Sequence, residues 1–298
     1  MRIVTRADFD GVVCAALLMD AVAVTEPTLW IEPSEMQKGL VPIKTGDIVA
    51  NLPYHPDCSL WFDHHFSNKP ETPVAGRFEL APSAAGLIHR YYGDTFSRDF
   101  SELVRQADKI DSADLTEEEV LHPENHPYIL LSMTLSGRHL DDEPYWNQIA
   151  RLLQTSSIDQ IMKNPEVAAR CEEVIEDNRT YRDLLKTHTT LHGQVAVTDF
   201  RGLEKDPSGN RFLVYSLYPE SVVQVKIRFD GSDPDRVIVS VGHSIFNRNC
   251  RVNVGLLMKR FEGGGHPGAG SCRFHVSKSD AYISAILSTL IQNDPIEA

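Results

Sequence analysis

The sequence predicts an α/β protein of two domains: an N-terminal parallel sheet with helices on both faces, and a smaller C-terminal domain built on a mixed sheet. Three observations predict it. Short, largely apolar strand signals alternate with helical periodicity through the first half of the chain, the pattern of a doubly covered parallel sheet. Strand signals vanish from about His126 to His188, leaving helical periodicity alone. They then resume with turn-rich segments between them, which places the boundary near residue 190. The 298 residues suit two domains of ordinary size, over 1–189 and 190–298.

The first strands are expected at 2–5, 28–31, 47–51 and 59–62, and the helices at 12–22, 83–92 and 97–110. The middle segment predicts helices at 128–135, 145–153 and 167–185. In the last of these, Glu172, Glu173, Glu176 and Asp177 surround Val174 and Ile175, so a long helix with a solvated face forms the connector. The C-terminal domain is expected to hold strands at 195–198, 222–229, 237–243 and 271–276, with helices at 254–261 and 279–292. Turn residues at 205–210 and 230–235 separate the strands. A glycine-rich loop at 262–270 joins the first of these helices to the last strand.

Composition excludes some functions. A net charge of −13 lacks the basic stripe that duplex binding rests on, so long duplexes are not expected as partners. A phosphorylated small molecule or a short single strand in a local groove is compatible with it. Five cysteines without a CxxC pair read as free thiols of a reducing cytoplasm. The chain opens on a strand without a signal peptide, and its longest apolar run, 12–19, is too short to cross a bilayer. A soluble cytoplasmic protein is expected, with no membrane partner.

Chemistry-bearing residues fall at the predicted strand ends. Asp63, His64 and His65 follow the fourth strand, at the edge where open parallel sheets bind ligands; two plain surface histidines are the alternative. Asp8 and Asp10 follow the first strand at i and i+2, so both carboxylates can address one metal, or Asp10 can cap the helix that follows. Asn51 ends the third strand. Asp108 and Asp111 lie at the end of a helix, where acids oppose the helix dipole and a cation would offset them. Gly263, Gly264, Gly265 and His266 have the glycine density of an anion-binding nest. Just upstream, Arg248 and Asn249 could hold phosphate or sugar.

In combination these pieces resemble the DHH phosphoesterase superfamily, in the branch that carries a DHH-associated C-terminal domain with a GGGH loop. That branch contains single-strand exonucleases, oligoribonucleases, cyclic-dinucleotide phosphodiesterases and exopolyphosphatase-related proteins. Asp8-Phe9-Asp10-Gly11 matches the first family motif, Asp63-His64-His65 the third, and Gly263-Gly264-Gly265-His266 the substrate-binding loop. For the fourth motif the resemblance favours Asp111, which is followed by the small Ser112 and, four positions on, by Leu115; Asp108 is the fallback. The resemblance implies a metal-dependent phosphohydrolase acting on short oligonucleotides or related phosphoesters between its two domains. Manganese is the first expectation for the ion and magnesium the alternative.

Two departures narrow this. Arg6 stands where the family has a histidine, and Asn51 where it has a metal-bridging aspartate. Arginine has no acceptor with which to ligate a cation. The resemblance therefore implies one metal on Asp10, His64 and Asp111 with Asn51 as a carbonyl ligand, and a second site reduced to Asp8. Asp63, His65 and Arg6 become the expected catalytic residues, with His65 at the phosphate or leaving oxygen and Arg6 stabilising developing charge. Arg248, Asn249 and the glycine loop would bind the substrate. The alternative class is a catalytically degenerate homologue that binds nucleic acid or a phosphorylated ligand, and the alternative substrate is polyphosphate. A homodimer is the assembly many relatives adopt.

Overall fold

A computed structural model describes residues 1–135 and 142–296, which fall into two compact units. One comprises Met1–Leu115 and Pro123–Glu172, the other Thr116–His122 and Glu173–Ala298. The first is built on a five-stranded parallel sheet. In chain order it holds β1 (Arg2–Thr5), α1 (Phe9–Ala21), β2 (Leu29–Trp30), α2 (Pro33–Gln37), β3 (Asp47–Ala50), β4 (Leu60–Asp63), β5 (Gly76–Phe78), α3 (Ala84–Tyr92) and α4 (Ser101–Asp111). The sheet order is β2-β1-β3-β4-β5, all pairs parallel.

β1, β3 and β4 are nearly all buried, as their unbroken apolar composition requires of central strands. α1 is buried from Phe9 to Leu18 and packs against α3 and α4. A helix apolar on every side suits that central position. Its entry is tight: a Cβ on Gly11 would lie 2.0 Å from the Arg6 carbonyl oxygen, so only glycine lets the chain turn from β1 into α1 here. After α5 (Glu117–Leu121), which belongs to the second unit, come α6 (Pro127–Thr134), α7 (Glu143–Thr155) and α8 (Ile158–Ile161). The long α9 (Pro165–His188) follows, and the division between units falls within it.

The second unit continues with β6 (Thr189–His192), β7 (Val195–Asp199), α10 (Leu213–Leu217), β8 (Val223–Asp230), β9 (Asp233–His243), α11 (Val254–Lys259), β10 (Gly263–His266), β11 (Ala269–His275) and α12 (Ser279–Gln292). Its six-stranded mixed sheet has the order β10-β11-β9-β8-β7-β6, with only β7 and β8 parallel. Val225, Ile227, Val239, Phe274, Leu257, Met258 and Ile286 centre its core. The α/β class and the mixed C-terminal sheet are those the sequence predicts.

Two expectations for this unit need correction. The segment expected as a turn at 230–235 is the end of a long hairpin, in which Asp233–His243 is strand and Asp230 pairs with Asp233. Pro234 is tolerated because the neighbouring β11 reaches only to Arg236, so no ladder donor is lost on that side. The glycine loop is also not a loop. Gly263–His266 is strand β10, antiparallel to β11. Its glycines admit close backbone packing: a Cβ on Gly255 of α11 would lie 2.3 Å from the Gly265 carbonyl oxygen, and one on Gly263 would lie 2.1 Å from that of Ser271.

Candidate metal centre

The C-terminal ends of the three central strands β1, β3 and β4 and the end of α4 bring the predicted acids and histidines together within the first unit. Asp63 is the last residue of β4 and is wholly buried. His64 follows. Its Nδ1 donates to the Ala81 carbonyl oxygen at 2.9 Å, which leaves the lone pair on Nε2. That atom is buried and has no hydrogen-bond partner among the described residues. It lies 3.2 Å from Asp111 Oδ2, without hydrogen-bonding alignment, and 3.7 Å from Asp10 Oδ2. A lone pair facing two carboxylates is an arrangement that wants a cation between them. The backbone carbonyl on the other ring nitrogen is the partner that metal-ligating histidines commonly take.

Asp10 sits in the first turn of α1, where Ala84 N donates to its Oδ2 at 2.9 Å and Ala85 N to its Oδ1 at 2.8 Å. These are the first amides of α3, so the carboxylate is fixed against a helix N-terminus. The Cys14 thiol donates to Oδ1 at 3.7 Å. Even with these donors, burial and then the charge of Asp8 raise Asp10 to about 7. Asp111, the last residue of α4, is raised to about 7 by burial, then by Asp10 and Asp8. A buried acid beside a second, partly exposed one resists joint ionisation until positive charge is supplied. One ligand atom from each of Asp10, His64 and Asp111 lies within 4.8 Å of the others. Two carboxylates and an imidazole fit a divalent ion such as manganese or magnesium.

Asp63 and His65 form a second element. His65 Nδ1 bonds to Asp63 Oδ1 at 2.8 Å, and Asn68 Nδ2 donates to Asp63 Oδ2 at 2.7 Å. The hydrogen bond to Asp63 raises the His65 pKa, opposed in part by burial. Asp63, His64 and His65 also lie close enough to share an ion. Asp63 also holds His65, with which it shares the bond to Nδ1.

The third corner has a different character. Asp8 caps α1 through Gly11 N at 2.9 Å, and the same Oδ1 accepts from Asn51 Nδ2 at 2.8 Å. Arg6 Nη1 lies 3.2 Å from Asp8 Oδ2, and Arg6 Nε lies 3.3 Å from Glu32 Oε2. Asn51 takes a positive φ of 56°, which asparagine tolerates better than most residues. Asp8 lies outside both groups of acids and histidines that could share an ion, and Asp8, not Asp10, is the helix cap. Asp108 Oδ1 accepts from Ser83 Oγ, which itself caps α3. It fastens α3 to α4 while Asp111 faces His64.

In the second unit, Arg248 Nε donates to the Ile245 carbonyl and Asn249 Nδ2 to Asn247 Oδ1, both on an exposed segment. Gly263, Gly264, Gly265 and His266 lie in β10 as described. Ala81, Ala84, Ala85, Cys14 and Asn68 also hold the centre, and the sequence alone does not mark them. Backbone donors and acceptors leave no residue-type signal, but Asn68, five positions after Asp63, could have been suspected from a short turn folding back on the triplet.

Fold and site together define the class: the chain belongs to the DHH superfamily, with Asp63-His64-His65 as its signature. It is 30% identical to the pGpG-specific phosphodiesterase PggH from Vibrio cholerae, over 98% of this chain and 99% of that one, with a TM-score of 0.85. An exopolyphosphatase-related protein from Bacteroides fragilis shares the fold at 11% identity and a TM-score of 0.58, over 98% and 92% of the two chains. Exonuclease RecJ bound to manganese does so at 12% and 0.55, over 99% and 90%. No protein-family model matches the chain, and no curated protein does. Among the described residues no helix is long and apolar enough to cross a membrane.

Proposed function

We propose that this protein is a metal-dependent phosphodiesterase of short oligonucleotides, with pGpG, the substrate in PggH's name, as its first expected substrate. The observation that carries the reading is His64 Nε2, buried and unpartnered between Asp10 and Asp111. Asp10, His64 and Asp111 would hold one divalent ion. Bound there, the ion supplies electrostatic activation of a phosphoryl oxygen and of the attacking water.

The remaining steps belong to the chain. Ala81 fixes the His64 ring, and the α3 amides fix Asp10, so the donors are held before substrate arrives. His65, oriented by Asp63, offers its free Nε2 to the scissile phosphate or to the leaving 3′ oxygen. Arg6 balances Asp8 where the family holds another ion, and contributes positive potential to an anionic substrate. Water adds to phosphorus, the bond to the 3′ oxygen breaks, and pGpG plus water gives two GMP. Gly263–His266, Arg248 and Asn249 are the proposed contacts for the rest of the substrate.

The test is turnover of pGpG with Mn2+ by the wild type and by Asp111→Asn, with polyphosphate as the second substrate. GMP release by the wild type, lost in the variant, supports the reading. Binding of pGpG without hydrolysis at any divalent ion would instead make the protein a degenerate binding module. Phosphate release from polyphosphate alone would transfer the assignment to that substrate.

A further inference from the structure

Two exposed apolar residues adjoin, along the chain, residues of the candidate centre. Phe66 is 73% exposed and Leu80 is 67% exposed. Phe66 directly follows His65 and opens a single 3-10 turn, Phe66–Asn68. That turn is fastened at its far end, where Asn68 N donates to the His65 carbonyl at 3.0 Å and Asn68 Nδ2 to Asp63 at 2.7 Å. Leu80 directly precedes Ala81, whose carbonyl holds the His64 ring. β4 and β5 are parallel neighbours with Asp63 opposite Phe78. Phe66 and Leu80 therefore leave the same edge of adjacent strands, three and two residues past that pair.

Isolated exposed leucines are ordinary. An exposed phenylalanine on a turn tied to the signature motif is less so. The other rings around this sheet are engaged: Trp61 stacks on Phe78, Tyr54 meets Trp61 edge-on, and Phe62 meets Tyr91. Among the described residues Phe66 has no such ring partner. Its face is open, and the turn that carries it is held by hydrogen bonds rather than by packing of the ring. Aromatic faces of this kind beside a phosphate site are stacking platforms for nucleic-acid bases, and they accept any base because every base has a π-face.

We propose that Phe66, with Leu80 beside it, is the platform on which a nucleobase of the substrate stacks, so that the site selects base-bearing phosphodiesters over bare polyphosphate. The placement of the phosphate rests on the function proposed above. Phe66 sets specificity and binding; it touches no reacting atom.

The test is equilibrium binding of 5′-GMP and of ribose 5-phosphate, in Mn2+, to the wild type, Phe66→Ala and Phe66→Trp. The wild type should bind GMP about tenfold more tightly than ribose 5-phosphate, the scale that stacking of one base supplies. Phe66→Ala should lose most of that advantage without weakening ribose 5-phosphate, and Phe66→Trp should keep it. Thermal melting of the variants should match the wild type, because the ring is not part of the core. An unchanged GMP preference in Phe66→Ala would overturn the proposal. So would a loss affecting both ligands equally, or a dimer that dissociates in the variant while nucleotide binding stays intact. The readout needs no turnover: a wild type that prefers GMP yet never cleaves pGpG removes the phosphodiesterase reading and leaves the platform standing.

Discussion

Asp8 and Asp10 lie two residues apart at the same sheet edge, and the structure surrounds them differently. Asp8 faces a guanidinium, a side-chain amide and a helix amide, so its oxygens are matched and its charge is balanced by Arg6. Asp10 also receives amides, but on its open side it meets a second carboxylate and the lone pair of an imidazole. The first corner is complete as it stands, whereas the second lacks positive charge. An acid at the right position in a motif is therefore not yet a ligand. What distinguishes the Asp10 corner is an imidazole nitrogen without a hydrogen-bond partner among the described residues, set between two acids.

His64→Ala should abolish manganese binding, measured by calorimetry, and lower pGpG turnover by at least about a hundredfold, since the donor that points between the two acids is gone. Asp63→Asn should retain the ion but lower kcat by roughly 10- to 100-fold, the range for losing a group that orients a site residue. Unchanged kcat would show that His65 does not depend on its partner.

A pH dependence follows from Asp10 and Asp111. Each is raised to about 7 in the folded protein from an ordinary 3.8. Between those values the folded state binds more protons than the unfolded state, so metal-free stability falls as pH rises through the window. A cation replaces those protons. The rise in Tm on adding Mn2+ should therefore be larger at pH 8 than at pH 6, and a shift that shrinks with pH would contradict the pairing. Asp8→Ala should leave the ion bound and cost about 1 kcal/mol of stability for a lost helix cap, while relieving part of the upward push on Asp10 and Asp111. Little should be added for the half-exposed pair with Arg6, and denaturant melts would show it.

Much of this was legible in the sequence. Short apolar strands identified the parallel sheet, and the acids and histidines that follow them in the sequence are gathered at its edge. Less legible were the short elements. β5 has three residues, and its start at Gly76 is set by close approach to the Trp61 backbone. β10 consists of glycines and a histidine, residues with no strand propensity, held in the sheet by pairing with β11 and by α11 packed on it. The choice between Asp108 and Asp111 also needed coordinates, because helix pitch turns one towards Ser83 and the other towards His64.

The central claim is that one corner holds an ion and the other does not. Manganese content of protein equilibrated with Mn2+ and then desalted tests it most directly. About one ion per chain is expected, unchanged in Asp8→Asn and absent in His64→Ala. Two tightly bound ions per chain in the wild type, or loss of the ion in Asp8→Asn, would contradict it.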